Sequence, residues 1–155
     1  EREKSAMKFY KYEPAVTGDY GDKTLYAGPE RIDVVKMHYE FSIWPKDDLQ
    51  WCGYDFIGTD RLKQALEALK PPITGITFGD TEISGDDGEF ERVYRKGRPD
   101  SALGLWHWFK ITGSPGVDDF GQNYHSIDLV VSDRVLELLE KFVPENSVRQ
   151  ITEWK

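Results

Sequence analysis

The chain has 155 residues, 28 of them acidic and 20 basic, for a formal net charge of -8. That length suits a single domain spanning residues 1–155, and 39% apolar with 14% aromatic residues is too rich for a disordered acidic tail. The negative field argues against nonspecific binding to nucleic acid or to an anionic membrane, and it permits a cationic protein partner.

Cys52 is the one cysteine, which excludes an internal disulfide and any zinc site built on several thiolates. A reducing, cytoplasmic setting is the simpler reading of that usage. No apolar run approaches the roughly 20 residues that a membrane span needs. The start, Glu1 to Met7, lacks the apolar stretch of a signal peptide. Met7 is a candidate initiator, with residues 1–6 an addition ahead of it.

Residues 7–12 alternate well enough for an opening strand, and the Gly, Pro, Asp and Tyr-rich stretch 13–33 reads as loop. Residues 34–43 read as a strand with Val35, Met37, Tyr39, Phe41 and Ile43 on one face and His38 on the polar face. Pro45 ends it. Tyr54 to Ile57 is a short strand. Thr59 then stands where a helix cap belongs, with Asp60 favoured in the first turn by the helix dipole. Leu62, Ala65, Leu66 and Leu69 make one apolar stripe, and Pro71-Pro72 stops the helix. Ile73 to Ile83 reads as strand and 84–100 as polar loop. Leu103 to Ile111 is an aromatic-rich strand, 113–125 is loop, and Ile127 to Val131 is a short β-branched strand. Ser132 caps a second helix, and Val148 to Trp154 makes a last strand. The expected fold class is α+β: a mostly antiparallel sheet with two short helices packed on it.

Residues 55–69 and 128–142 repeat at a constant offset. Asp55 matches Asp128, Thr59 matches Ser132, and Asp60-Arg61 matches Asp133-Arg134. The stripe Leu62, Ala65, Leu66, Leu69 matches Val135, Leu138, Leu139, Phe142. Two similar strand-helix-strand units therefore share the chain. Capping and ion pairing explain the Asp-Arg pairs without any ligand, although paired binding sites are the alternative.

Chemistry-bearing patterns are few. The histidines His38, His107 and His125 have no metal-ligand spacing, and nothing around Cys52 resembles a nucleophile motif, so a packed thiol is expected there. No P-loop, Rossmann fingerprint or nucleophile elbow is present. Asp118-Asp119-Phe120-Gly121 reads as a turn with both carboxylates available to a partner. Asp80, Glu82, Ser84, Gly85 and Glu91 fall at calcium-loop spacing, but Asp87 stands where that loop needs an apolar residue, so a solvated loop is the default. The same run, with Asp86, Asp87 and Glu89, concentrates the acidity, and Arg92, Arg95, Lys96 and Arg98 follow it at once. In the strand 105–109, Trp106 and Trp108 face opposite to Leu105, His107 and Phe109. Either both faces are covered, or one presents rings to a partner.

Residues 56–66, 74–78, 118–121 and 128–139 resemble immunity-protein families of bacterial polymorphic-toxin systems of the contact-dependent or type VI kind. The resemblance implies a cytoplasmic protein that binds and neutralises a cognate toxin domain, with no catalytic residue and no cofactor. Joined to the charge pattern, it makes Asp80, Glu82, Asp86, Asp87, Glu89, Asp118 and Asp119 the expected contacts with a cationic toxin, with Trp106 or Trp108 as anchor. The alternative is a small metal- or ligand-binding domain, or an enzyme, using His107, His125 and the acidic loop.

Overall fold

In chain order the strands are β1 (Phe9–Tyr12), β2 (Gly18–Tyr20), β3 (Leu25–Tyr26), β4 (Val34–Phe41), β5 (Leu49–Cys52) and β6 (Asp55–Thr59). Helix α1 (Asp60–Glu67) follows, then β7 (Ile76–Gly85), a π-helical turn at Phe90–Tyr94, and β8 (Trp106–Ile111). The chain closes with β9 (Phe120–Gly121), β10 (Leu129–Ser132), α2 (Asp133–Glu140) and β11 (Ile151–Trp154). The structure is a computed structural model, and it describes residues 7–30, 33–88, 90–94, 103–123, 126–143 and 151–154.

The fold is α+β, mostly antiparallel, but with two sheets in place of one. The smaller has the order β11-β1-β10-β9 and the larger β2-β4-β7-β8-β6-β5, with β3 also on β4. Among the described residues β4 and β7 form the one parallel strand pair.

Both helices start as their sequences require. The Thr59 and Ser132 side chains accept the backbone N–H of Leu62 and Val135 respectively. Each stripe turns inward: Leu62 and Leu66, like Val135 and Leu139, are buried in a core shared by both sheets, with Phe56, Phe109, Phe120 and Val131. Each such side chain contributes about 1.5–3 kcal/mol by burial. A second core lies on the other face of the larger sheet, with Met37, Tyr39, Phe41, Ile57, Phe90, Trp106 and Trp108. The aromatic strand is thus central and covered on both faces.

The repeat extends further than the matched residues. The strand order β5-β6-β8-β7 of one unit recurs as β9-β10-β1-β11 in the other, every pairing antiparallel. Thr59 N–H donates to Asp48 O and Ser132 N–H to Asp119 O, each at 2.9 Å. Asp60 N–H donates to Leu105 O and Asp133 N–H to Lys8 O, each at 3.0 Å. The second unit is completed by β1, so one of its strands comes from the opposite end of the sequence.

Several expectations are corrected. The stretch 13–33 contains β2 and β3, short strands that form only because β4 offers an edge. Val35 and Ile43 are exposed, whereas Met37, Tyr39 and Phe41 are buried. His38 is buried, because the Gly21–Thr24 segment folds over it: Gly21 N–H donates to His38 O, and the Thr24 hydroxyl donates to the same oxygen. A Cβ at Gly21 would collide with the His38 ring. The expected start of the last strand at Val148 lies outside the described residues.

Candidate functional site

The repeated Asp-Arg pairs resolve into matched anchors. Arg61 Nε and Nη2 donate to the Asp48 carboxylate at 2.6 and 2.8 Å, and the Thr59 hydroxyl donates to it as well. Arg134 Nε and Nη2 donate to Asp119 at 3.0 and 2.8 Å, and the Ser132 hydroxyl donates at 2.7 Å. Each arginine then reaches the other unit. Arg61 lies 5.2 Å over the Phe142 ring, beyond α2, and Arg134 Nη1 donates to Pro71 O at 2.7 Å, beyond α1. These side chains brace the two units against each other.

That assignment corrects the expectation for Asp119, which is buried. Burial alone would raise its pKa, but hydrogen bonds from Arg134, Ser132 and the Thr74 backbone outweigh it and hold the carboxyl at about 2. Asp118 accepts the Ser114 N–H at 2.9 Å and closes its own turn.

The acidic run is a strand and a turn that hold Glu82 and Asp86 and leave Asp80 and Asp87 exposed. Asp80 and Glu82 belong to β7, whose alternate residues share a face, so Asp80, Glu82 and Ser84 line a strand and not a chelating ring. Lys36 and Lys23 clamp Glu82 at 3.2 and 3.4 Å, and the Lys36 contact chiefly lowers its pKa. Asp86 accepts the N–H groups of Gly88 and Phe90 and so opens the π-helical turn that buries Phe90. Asp87 is exposed, and Glu89 lies outside the described residues. Trp106 and Trp108 are 5% and 8% exposed, which corrects their place as free anchors. Trp106 Nε1–H donates to Leu103 O at 2.7 Å.

His107 Nε2 bonds Asp60 Oδ1 at 2.7 Å, and His125 lies outside the described residues. Among the described residues no three His, Cys, Asp or Glu side chains gather as a metal ion requires. Cys52 is buried, and burial pushes its thiol pKa far up.

Two features escaped sequence reading. Ser84, His38 and Asp22 stand in the order of a catalytic triad, with His38 Nε2 2.8 Å from Ser84 Oγ and Nδ1 3.7 Å from Asp22. The Lys23 backbone N–H donates to Nδ1 at 3.1 Å, so that nitrogen is the acceptor and Nε2 carries the proton. A histidine in this tautomer donates to Ser84 and cannot take its proton.

The second feature is a pair of hollows flanking Tyr20. One, of about 650 Å³, is lined by Asp19, Tyr20, Asp22, Thr24, Tyr26 and Glu40. Asp19 and Glu40 stand directly opposite each other across β2 and β4. The other, of about 440 Å³, is lined by Asp33, Tyr54, Asp55, Trp108, Lys110 and Gln122 among others. Tyr20 joins them: its hydroxyl donates to Asp55 at 2.6 Å and accepts the Tyr54 N–H at 3.1 Å. Gly53, at φ +56°, leaves room for that phenol, which any Cβ would strike. No sequence pattern joins these residues, because β2, β4, β6 and β8 bring them together only through strand pairing.

No protein-family model matches the chain, and no curated protein matches it.

Proposed function

We propose that this chain is a binding protein, not an enzyme, that neutralises a cationic toxin domain of a bacterial polymorphic-toxin system inside the producing cell. The observation that carries the reading is the Asp19–Glu40 pair. Like charges directly opposite on paired strands oppose folding, and among the described residues neither carboxylate has a basic ion-pair partner. Asp22, 94% exposed at its side chain, adds a third carboxylate to the same hollow. A surface kept at a cost to stability is suited to a basic partner, whose approach it also speeds.

The sequence resemblance supports the same reading. So does the use of the polar side chains inside the fold: Asp48, Asp119, Arg61 and Arg134 brace it, and His38 is in the wrong tautomer for a base. The alternative built on His107 has less support, since its Nε2 is held by Asp60. No helix among the described residues is long and apolar enough to cross a membrane.

The test is to express the product of the gene immediately upstream in a bacterial host, alone and together with this chain. Growth arrest relieved by this chain, with a stoichiometric complex on gel filtration, is the expected result. An upstream product that is harmless, or whose toxicity this chain leaves unchanged, overturns the proposal.

A further inference from the structure

Segment 21–24 is a strap whose two ends are pinned to the backbone of His38. Gly21 N–H donates to His38 O at 2.7 Å. The Thr24 hydroxyl donates to the same oxygen at 2.9 Å and accepts the His38 N–H at 3.1 Å. The middle of the strap hangs on the ring instead. Lys23 N–H donates to His38 Nδ1 at 3.1 Å, and Lys23 Nζ reaches Glu82 at 3.4 Å. The imidazole beneath is 5% exposed, whereas the Asp22 side chain is 94% exposed, with Oδ1 3.7 Å from Nδ1.

This arrangement requires a neutral ring. Nδ1 accepts only while it carries no proton, because an imidazolium donates from both nitrogens. Protonation sets Nδ1–H against Lys23 N–H, two donors face to face, while Nε2–H goes on donating to Ser84 Oγ. The charged groups around the ring are Asp22 and Lys23 of the strap, Lys36 and Glu40 beside it on β4, Asp19 opposite Glu40 on β2, and Glu82 opposite His38 on β7. Lys23 and Lys36 hold Glu82, and Asp19 accepts the Tyr20 N–H. Among the described residues Asp22 is the carboxylate within ion-pairing distance of the ring. Its exposed side chain is free to turn inward and replace that separation with a charge-assisted hydrogen bond.

We propose that the strap is a pH-operated regulator of the acidic hollow: protonation of His38 expels the Lys23 N–H from Nδ1 and draws the Asp22 carboxylate onto it. Asp19, Asp22 and Glu40 all line that 650 Å³ hollow, so the inward turn of Asp22 removes one of its carboxylates. In acid the hollow then holds a basic partner less tightly, and near neutral pH it presents all three. Gly21 and Thr24 stay bonded to the His38 backbone, which neither gains nor loses a proton, so the motion is confined to the middle of the strap. The effect on a partner rests on the toxin-binding reading, whereas the motion of the strap does not.

The test uses the full chain labelled with nitrogen-15 and titrated from about pH 8 to about pH 5, where imidazoles ordinarily change charge. A scalar coupling across the Lys23 N–H to Nδ1 hydrogen bond is expected while the ring is neutral, and its loss is expected as the ring protonates. Exchange protection of the Lys23 amide is expected to fall about tenfold over the same transition, with that of Gly21 retained. Toxin affinity is expected to drop about threefold toward acid in wild type and to lose most of that drop in Asp22→Asn. A coupling or protection at Lys23 that survives full protonation of the ring, or a ring that stays neutral to about pH 5, overturns the proposal. So does an Asp22→Asn chain that keeps the wild-type pH dependence. The two readings fail separately: a strap response with no toxin neutralisation leaves the strap standing, and neutralisation without any strap response removes the strap alone.

Discussion

Arg134 grips Asp119 through two nitrogens, Nε to Oδ1 at 3.0 Å and Nη2 to Oδ2 at 2.8 Å, as Arg61 grips Asp48 in the other unit. Asp119 also takes the Ser132 hydroxyl and the Thr74 N–H and hydroxyl, so its removal leaves a partly buried guanidinium and three donors without that acceptor. Asp119→Ala is expected to lower unfolding free energy by about 3 kcal/mol, measured by urea denaturation. Equal stability would show that the brace is dispensable.

The same carboxylate sets an acid limit. Its pKa is about 2 in the folded chain, against about 3.9 for an unfolded aspartate. The pKa is depressed on folding, so the stabilisation is complete above about pH 4 and is lost as pH falls toward about 2. The stability difference between wild type and Asp119→Asn is therefore expected to shrink across that window in thermal melts. A difference that stays constant from pH 5 to 2 would remove Asp119 as its source.

Gly58 pairs with His107 in the centre of the larger sheet, and a Cβ there would run into the Phe109 ring. Gly58→Ala is expected to cost about 1–3 kcal/mol by overpacking. An unchanged denaturation midpoint would mean that Phe109 has room to retreat.

For His38 the tautomer is directly measurable. Nitrogen-15 shifts are expected to show a protonated Nε2 and an acceptor Nδ1 in the neutral ring, and Gly21→Ala is expected to perturb both by displacing the imidazole. The opposite tautomer would reopen a base role toward Ser84.

Relieving the Asp19–Glu40 repulsion separates folding from binding. Glu40→Lys is expected to stabilise the isolated chain by about 0.5 kcal/mol, since the new charge faces Asp19. It is also expected to slow association with the toxin at low salt, measured by stopped flow. Faster or unchanged association would move the interface away from this hollow.

Local signals in the sequence carried the helices well. Thr59 and Ser132 cap them, and the stripe residues Leu62, Leu66, Val135 and Leu139 are the ones buried, because caps and periodicity act over a few residues. The repeat was visible over the strand-helix segment but not in Asp48 and Asp119, whose partners are reached only when a neighbouring strand folds back. Charge was the weakest guide. It marked Asp80, Glu82, Asp86, Asp87 and Asp119 as surface for a partner, whereas lysine clamps, a turn and an arginine hold Glu82, Asp86 and Asp119, and the further exposed acids Asp19, Asp22 and Glu40 gather on segments that look unremarkable in sequence. The Asp55 hollow draws on three strands and the segments beside them and had no linear signature at all.

The place of β1 has a consequence for birth on the ribosome. Tyr10 is made well over a hundred residues before its neighbours across the ladder, Val131 and Glu153. The unit that closes at Ile111 can assemble while the rest of the chain is still being made, but β1 must pass that time with both edges bare. Lys8 and Lys11, both exposed, put charge on that waiting strand and discourage it from pairing with a neighbouring nascent chain.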